Sequence, residues 1–376
     1  SAKQETFLTE KDRNEEGEFD PIYGEVQELR EKNYYFKLGQ HQQWLIDYIE
    51  ANPEFVSPDY RRNEVLGFLK NESLENLCIS RPQERLEWGI PLPFDPDYVT
   101  YVWFDALTNY LSIPRSRGEE SALWPADIHV IGKDILKFHA VYWPIMLKVA
   151  GLELPKQVLV HGWWQKDNQK MSKSTGNVVD PIEVIDDWGL DAFRYYVVRE
   201  LAIGPDGNWT DEGFTTRYGA ELANGLGNLM NRSLSMLNRY REGVVPEPND
   251  ELSAEALAAR DKLVSELQAS ELQEGLRTIW AYITRVNQYV DQTAPFKLAK
   301  HPEQAKRLGE VLYNLVESCR LLAVWLQPYL PTTSQRMREQ LGVATDTVNI
   351  AESGWGELAA GHQINKPEPL FPRRDQ

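Results

Sequence analysis

Two lysines set three apart stand in the run Lys170-Met171-Ser172-Lys173-Ser174, which continues as Thr-Gly-Asn-Val-Val-Asp-Pro. With hydroxyls and a glycine around them, they read as a mobile cationic loop. Such a loop can neutralise a polyphosphate as charge builds on its leaving group. A lone K-x-x-K is normally a solvated turn; the full pentapeptide, after a strand and before a helix, argues for chemistry. A second group follows a β-rich run at 127–131. There Gly132 lets a nucleotide approach the backbone, and the Asp134 carboxylate can bind ribose hydroxyls or serve as a helix N-cap. A third group is aromatic. Ile135, His139 and Trp143 are spaced by four, which puts them on one face of a helix. Trp103, Ala106 and Tyr110 follow another β-rich run. The six could box a thioether, because sulfur packs favourably on aromatic edges. Tyr110 and His139 are placed to hydrogen-bond each other. Plain core packing would satisfy the same spacing.

These groups need elements to hold them. Helical spacing occurs at 41–51 and 60–72, and the three prolines of 88–97 read as a fixed connector. Strands are predicted at 98–104, 127–131 and 157–161, with a helix over 134–150 that Pro144 should kink. Strands alternating with a helix suggest parallel βαβ units, in which ligands sit beyond the carboxyl ends of strands. From residue 181 the pattern is helical: two short helices over 181–201, then 218–241, 252–270, 271–291 and 303–327. Breaks at Gly243–Pro248, Ala294-Pro295 and Pro328–Pro331 mark an up-and-down bundle. Residues 346–376 read as loop-rich.

Composition narrows the classes. The net charge is −17, so any nucleic-acid partner must meet a local basic patch. Residues 213–241 supply one: Arg217, Arg232, Arg239 and Arg241 stand against Glu221. Residues 1–30 are acidic and loop-like. Two isolated cysteines, Cys78 and Cys319, exclude a disulfide scaffold or a cysteine zinc site and fit a reducing cytoplasm. No apolar run is long enough for a membrane helix, and the polar start is no signal peptide. HExxH, P-loop and GxGxxG patterns are absent. The chain starts at Ser1 without an initiator methionine, which suggests a processed, cropped or engineered start.

The run HGWWQKDNQKMSKSTGNVVDP resembles the signature loop of class I aminoacyl-tRNA synthetases. WGIPLP, YVWFDALTNYL, VIGKDILKFHAVYWPIMLKVAGLELP, LANGLGNLMNR and the closing PEPLFPR narrow the resemblance to the methionyl-tRNA synthetase family, in that family's order and over nearly the whole chain. It implies α/β plus all-α architecture: the C-terminal half of a Rossmann-type catalytic domain followed by an anticodon-binding helical bundle. The family's first motif, H-I-G-H, has no counterpart, so the N-terminal half of the catalytic domain is expected to be missing from this sequence. The implied divisions are 1–32, a remnant of a connective insertion; 33–97, a helical connector; 98–180, the second Rossmann half; 181–217, a stem-contact region; 218–345, the anticodon bundle; and 346–376, a tail packing back on the body.

The resemblance also assigns roles. Lys170 and Lys173 become catalytic. Gly132, Asp134, His161, Gly162, Lys170, Met171, Ser172, Lys173, Ser174 and Arg81 become the ATP site. Trp103, Ala106, Tyr110, Ile135, His139 and Trp143 become the methionine pocket, with Leu107 where some relatives carry proline. Asn228 and Arg232, four apart on a helix, would read the CAU anticodon of tRNA(Met) with Phe296, which stands where the family usually has tryptophan. The implied activity is ATP-dependent ligation of L-methionine to tRNA(Met), with Mg²⁺ carried by ATP, no zinc, no membrane and a cytoplasmic monomer. Two alternatives stay open: a class I synthetase for leucine, isoleucine, valine or cysteine, and a non-catalytic tRNA-binding module.

Overall fold

Apolar residues at Leu276, Ile279, Ile283, Val286 and Val290 form one stripe at helical spacing, and all five are buried. That stripe makes the helix Leu272–Thr293 an inner member of a bundle. The helix Ala305–Trp325 goes further: from Val311 to Trp325 every residue is buried. A helix buried on all sides is the bundle's centre. The computed structural model describes residues 8, 12–14, 16–27, 31–100, 102–171, 176–344 and 349–372, without the side chain of Ser121.

The chain divides into two units. The first comprises Ser1–His129 and Leu136–Val158; the second comprises Val130–Ile135 and Leu159–Gln376. In the first unit, β1 (Tyr35–Phe36) is followed by α1 (Gln42–Ala51), β2 (Val56–Ser57), α2 (Asp59–Asn71) and β3 (Leu77–Cys78), which pairs antiparallel with β1. Then β4 (Arg81–Pro82), β5 (Ile90–Leu92) and β6 (Asp95–Thr100) form an antiparallel sheet in the order β4-β6-β5. The expected proline connector at 88–97 is therefore wrong. Pro91 lies beside a register irregularity on an edge strand, where proline is tolerated. The strand expected over 98–104 ends at Thr100, and Trp103 opens the short helix α3 (Trp103–Ala106).

Two short helices that the sequence pattern did not announce follow, α4 (Asn109–Ser116) and α5 (Glu120–Leu123). Then comes β7 (Ile128–Gly132). The helix expected over 134–150 is irregular. Lys133–Ile135 is a 3₁₀ turn, Phe138–Tyr142 is a π turn, and regular helix α6 follows directly over Trp143–Ala150. The run is helical without a break from residue 136 to residue 150, and Pro144, which lacks an N–H, follows immediately on the π turn. The strand β8 (Gln157–His161) follows, and β2, β8 and β7 form one sheet in that order. A small core of the first unit gathers Leu107, Leu111, Trp143 and Leu147 beneath Trp103 and Trp124.

The second unit adds β9 (Trp164–Lys166) and β10 (Gln169–Lys170), α7 (Pro181–Trp188), α8 (Leu190–Glu200), β11 (Gly207–Trp209) and α9 (Asp211–Arg217). β9 pairs antiparallel with β10 and parallel with β11. The helix expected over 218–241 is a ten-residue π segment, Tyr218–Gly227, that runs into α10 (Asn228–Arg241). The bundle continues as α11 (Ser253–Gln268), α12 (Leu272–Thr293), α13 (Pro295–Leu298), α14 (Ala305–Trp325) and α15 (Pro331–Leu341), the last not foreseen. One hydrophobic core runs through these helices. The tail is tied to α14: the buried Glu317 carboxylate accepts from the backbone N–H groups of Gly356 at 2.7 Å and Glu357 at 3.0 Å. A mixed α/β region thus leads into a helical one. No described helix is long and apolar enough to cross a membrane.

Candidate functional site

In the second unit, the polar site residues converge on an indole. Trp163 follows β8, and its Nε1–H donates to Asp134 Oδ1 at 3.2 Å, while its backbone N–H donates to Asp206 Oδ1 at 2.9 Å. The Lys170 ammonium lies 4.5 Å from the centre of the Trp163 ring and the Lys133 ammonium 4.3 Å from it. Lys133 also pairs with Asp206 at 2.6 Å. Both cations are thereby held over one ring face system, where each gains the electrostatic attraction of the indole. The Asp134 carboxylate is committed to the indole and does not cap a helix, contrary to one expectation: it sits inside the 3₁₀ turn.

The two glycines here differ in how strictly they are required: at Gly132 the neighbour is a side-chain end, at Gly162 it is backbone. A Cβ on Gly132 would come within 2.6 Å of Asp134 Oδ1, with His161 3.6 Å away. On Gly162 it would lie 1.9 Å from the Pro205 carbonyl oxygen, so Gly162 is demanded by packing against that loop. His161 is exposed, and its Nδ1 lies 2.8 Å from the Gly162 carbonyl oxygen. The Lys170 carbonyl accepts from Asn177 Nδ2 at 3.1 Å, and Met171 packs on the bundle core. Ser172, Lys173 and Ser174 lie outside the described residues. Trp163, Lys133 and Asp206 were not singled out from sequence. The one available signal was an aromatic beside His161-Gly162 at a strand end.

The aromatic pocket belongs to the first unit, where five of its six expected residues occur; Ile135 lies in the second unit. The spacing-by-four argument does not hold as made, since Ile135 ends a 3₁₀ turn and His139 sits in a π turn. Short π segments of this kind are frequent at functional sites. Trp103 stacks on Phe138 at 4.1 Å and meets the His139 ring edge-on at 6.1 Å. Ala106 ends α3 and is exposed. The expected bond is present: Tyr110 Oη lies 2.9 Å from His139 Nε2. Burial raises the Tyr110 hydroxyl's pKa, so it stays a neutral donor and acceptor.

A second histidine completes the cluster. His129 alternates inward on β7 and is 5% exposed. Its Nε2 accepts from Trp143 Nε1–H at 3.3 Å, and the Tyr110 ring lies 4.1 Å above it. Burial, and then the neighbouring His139, push its pKa down to about 4. Arg81, expected near ATP, lies in the first unit on β4, where Nη1 donates to the Ser80 carbonyl at 2.8 Å and approaches Cys78 Sγ at 3.1 Å.

At the bundle, Asn228 opens α10 and Arg232 follows one turn later. Arg232 Nη2 pairs with Asp291 Oδ1 at 3.1 Å, tying α10 to the last turn of α12. α13 then presents Phe296, 43% exposed, after Ala294 turns the chain with φ +43°. The basic patch at 213–241 is not one free face. Arg217 is ion-paired with Glu200 and Glu221, and Arg241 Nη2 donates to the Ala305 carbonyl at 2.6 Å. Among the described residues no cluster of three or more histidine, cysteine or acidic side chains could hold a metal ion.

Residues 19–234 match the family model described as tRNA synthetases class I (M), and residues 243–375 match the anticodon binding domain of methionyl tRNA ligase. The methionine–tRNA ligase of Clostridium tetani is 43% identical over 360 residues, covering 93% of this chain and 56% of that protein. That of Bacillus subtilis is 42% identical over 396 residues, covering 99% of this chain and 59% of the relative. The chain thus spans little more than half the length of these curated relatives. The Mycobacterium tuberculosis methionyl-tRNA synthetase structure bound by methionyl-adenylate superposes with a TM-score of 0.84 at 36% identity, over 91% of this chain and 69% of that one. Its apo form gives 0.82 at 35% identity, over 92% of this chain and 69% of that one.

Proposed function

The chain belongs to the methionyl-tRNA synthetase family of class I synthetases, and from that premise we propose that it carries out its part of the ATP-dependent ligation of L-methionine to tRNA(Met) in the cytoplasm. The methionine carboxylate attacks the α-phosphate of Mg·ATP in line, giving methionyl-adenylate and pyrophosphate. A hydroxyl of the tRNA's 3′-terminal ribose then attacks the methionyl carbonyl, forming the ester as the acyl–phosphate bond breaks and AMP leaves. Little covalent work falls to the protein; positioning and electrostatics carry the rate.

Lys170 and Lys173 offset the charge that develops on pyrophosphate. Gly132, Asp134, His161 and Gly162 border the nucleotide, with Met171, Ser172 and Ser174 contributing from the lysine loop; Arg81 is a further candidate for the nucleotide. Trp103, Ala106, Tyr110, Ile135, His139 and Trp143 take the methionine side chain. Asn228, Arg232 and Phe296 read the anticodon. On this reading residues 1–32, 33–97, 98–180, 181–217, 218–345 and 346–376 are insertion remnant, connector, Rossmann half, stem contact, anticodon bundle and tail.

The observation that most supports the reading is the placing of Lys170 and Lys133 over one indole that also binds Asp134. Two cations and a carboxylate on a strand end suit a nucleoside polyphosphate. The test is methionine-dependent ATP–pyrophosphate exchange on the 376-residue chain, with leucine as control. If the chain is silent alone, exchange is repeated with the portion of a curated relative that this chain does not cover added. Exchange with methionine and not leucine is expected. Silence in both settings, or equal exchange with leucine, sinks the proposal. Lys173→Ala should slow adenylate formation more than it weakens methionine binding; equal losses would remove the assigned role.

A further inference from the structure

We propose that His129 is the positioning residue of the aromatic pocket, fixing Trp143 and Tyr110 in the arrangement that takes a methionine side chain. The inference rests on the reading of that pocket as the methionine site.

An indole nitrogen can only donate, so the 3.3 Å contact from Trp143 Nε1 makes His129 Nε2 the acceptor. That choice fixes the tautomer: the imidazole proton sits on Nδ1 and the ring is neutral. Burial and the second imidazole beside it act in the same direction, because each disfavours a charge there. The neutral ring is flat and carries Tyr110 at 4.1 Å with an interplanar angle of 39°. Tyr110 in turn reaches His139 with its hydroxyl at 2.9 Å. One buried ring therefore sets two walls, one through a hydrogen bond and one through ring contact. Trp143 is 2% exposed, so its N–H has no route to bulk water when the acceptor is removed. A buried donor left without an acceptor keeps its full desolvation cost, which favours turning the indole away from its present position.

The role differs from that of packing filler in one respect: it needs an acceptor at Nε2. Glutamine keeps an acceptor close to that position; phenylalanine keeps the flat ring and loses the acceptor. Methionine and leucine affinities are measured by equilibrium dialysis on the 376-residue chain, beside the melting temperature of each variant. His129→Phe should raise the methionine Kd roughly tenfold, the equivalent of about 1.4 kcal/mol, and leave leucine binding unchanged. His129→Gln should stay within about threefold of the wild-type chain. In a Trp143→Phe background, which has no N–H to satisfy, His129→Phe should cost little more. Equal losses for Gln and Phe, or an undiminished cost in the Trp143→Phe background, would overturn the proposal. If His129→Phe does not fold, His129→Gln decides alone, and a tenfold loss with a native melting temperature overturns it. A wild-type chain that binds no methionine overturns the pocket reading itself, an outcome distinct from a wild-type chain that binds and a variant that binds equally well.

Discussion

The Lys170 ammonium lies 4.5 Å from the centre of the Trp163 ring, and Trp163 is itself held by Asp134 through its indole N–H at 3.2 Å. The first lysine of the signature loop thus has a fixed platform, and the carboxylate expected to meet ribose supports that platform. A cation over an indole gains about 0.5–2 kcal/mol, depending on desolvation. Trp163→Leu removes the platform and frees Asp134. The expected outcome is an Mg·ATP affinity weakened about three- to thirtyfold, read by equilibrium dialysis. Trp163→Phe keeps a ring face and loses only the N–H, so its loss should be smaller. A wild-type affinity in Trp163→Leu would show that the ring is a bystander.

The acid sensitivity of the first unit follows from His129. Its folded pKa is pushed down to about 4 from an ordinary 6.5, so the unfolded chain binds more protons between those values. Stability contributed by the neutral ring is complete above pH 6.5 and is lost as the pH falls towards 4. At 1.36 kcal/mol per pKa unit the full loss is on the order of 3 kcal/mol. Urea unfolding at pH 7 and pH 5 should show a larger loss in the wild-type chain than in His129→Gln, which does not titrate. Parallel losses in the two proteins would place the acid sensitivity elsewhere.

Much of this arrangement was legible because the residues that matter are chemically loud. The Tyr110–His139 bond and the helices at 253–268 and 272–293 follow from residue type and period. His129 was harder to see. It is one polar residue at an inward position of a five-residue strand, and its meaning depends on Trp143, fourteen residues away. Trp163 was missed for a related reason: its partners Asp134 and Asp206 are distant in sequence. The π segments at Phe138–Tyr142 and Tyr218–Gly227 do not show in a period of 3.6, because a π turn and an α turn carry the same apolar residues. The bulge-like hairpin at 90–100 escapes a rule that keeps prolines out of strands, because Pro91 is on the edge strand β5 and Pro96 stands at the very start of the central β6.

The tail's attachment supplies a stability prediction. Glu317 is fully buried, Arg320 pairs with it at 2.7 Å, and the tail's backbone N–H groups at Gly356 and Glu357 point at the same carboxylate. Removing one partner of a buried pair costs about 3–5 kcal/mol, because the other charge is left without compensation. Arg320 keeps its contact with Glu357 at 2.8 Å, which pulls the figure to the lower end. Glu317→Ala should lower the melting temperature by roughly 6–12 °C for a unit of this size. A double change, Glu317→Leu with Arg320→Met, should recover only part of the loss, since the tail N–H groups still lack their acceptor. Full recovery would show that the ion pair, and not the tail, is what Glu317 serves.

The bundle gives the sharpest separation of roles. Arg232 is anchored by Asp291 at 3.1 Å on a pair whose acid is 70% exposed, so the pair is worth little to stability. It holds the guanidinium above the end of α12, from which α13 carries Phe296 into solvent. An exposed aromatic that follows the helix holding an arginine suits an unstacked base. Alanine at a base-stacking aromatic costs about 1–3 kcal/mol, or roughly five- to hundredfold in affinity. Phe296→Ala and Arg232→Ala should each weaken tRNA(Met) binding in that range, measured by filter binding at fixed salt, and leave the affinities for methionine and Mg·ATP unchanged. Phe296→Trp adds a larger face and an N–H donor, so it should bind as well or better. Asp291→Asn leaves Arg232 charged and reduces its anchor from an ion pair to a neutral hydrogen bond; it should lower discrimination between anticodons more than it lowers affinity for the correct one, because a loosely held guanidinium still attracts phosphate. If Asp291→Asn instead abolishes binding altogether, the aspartate is itself a contact to the RNA and not a support for Arg232.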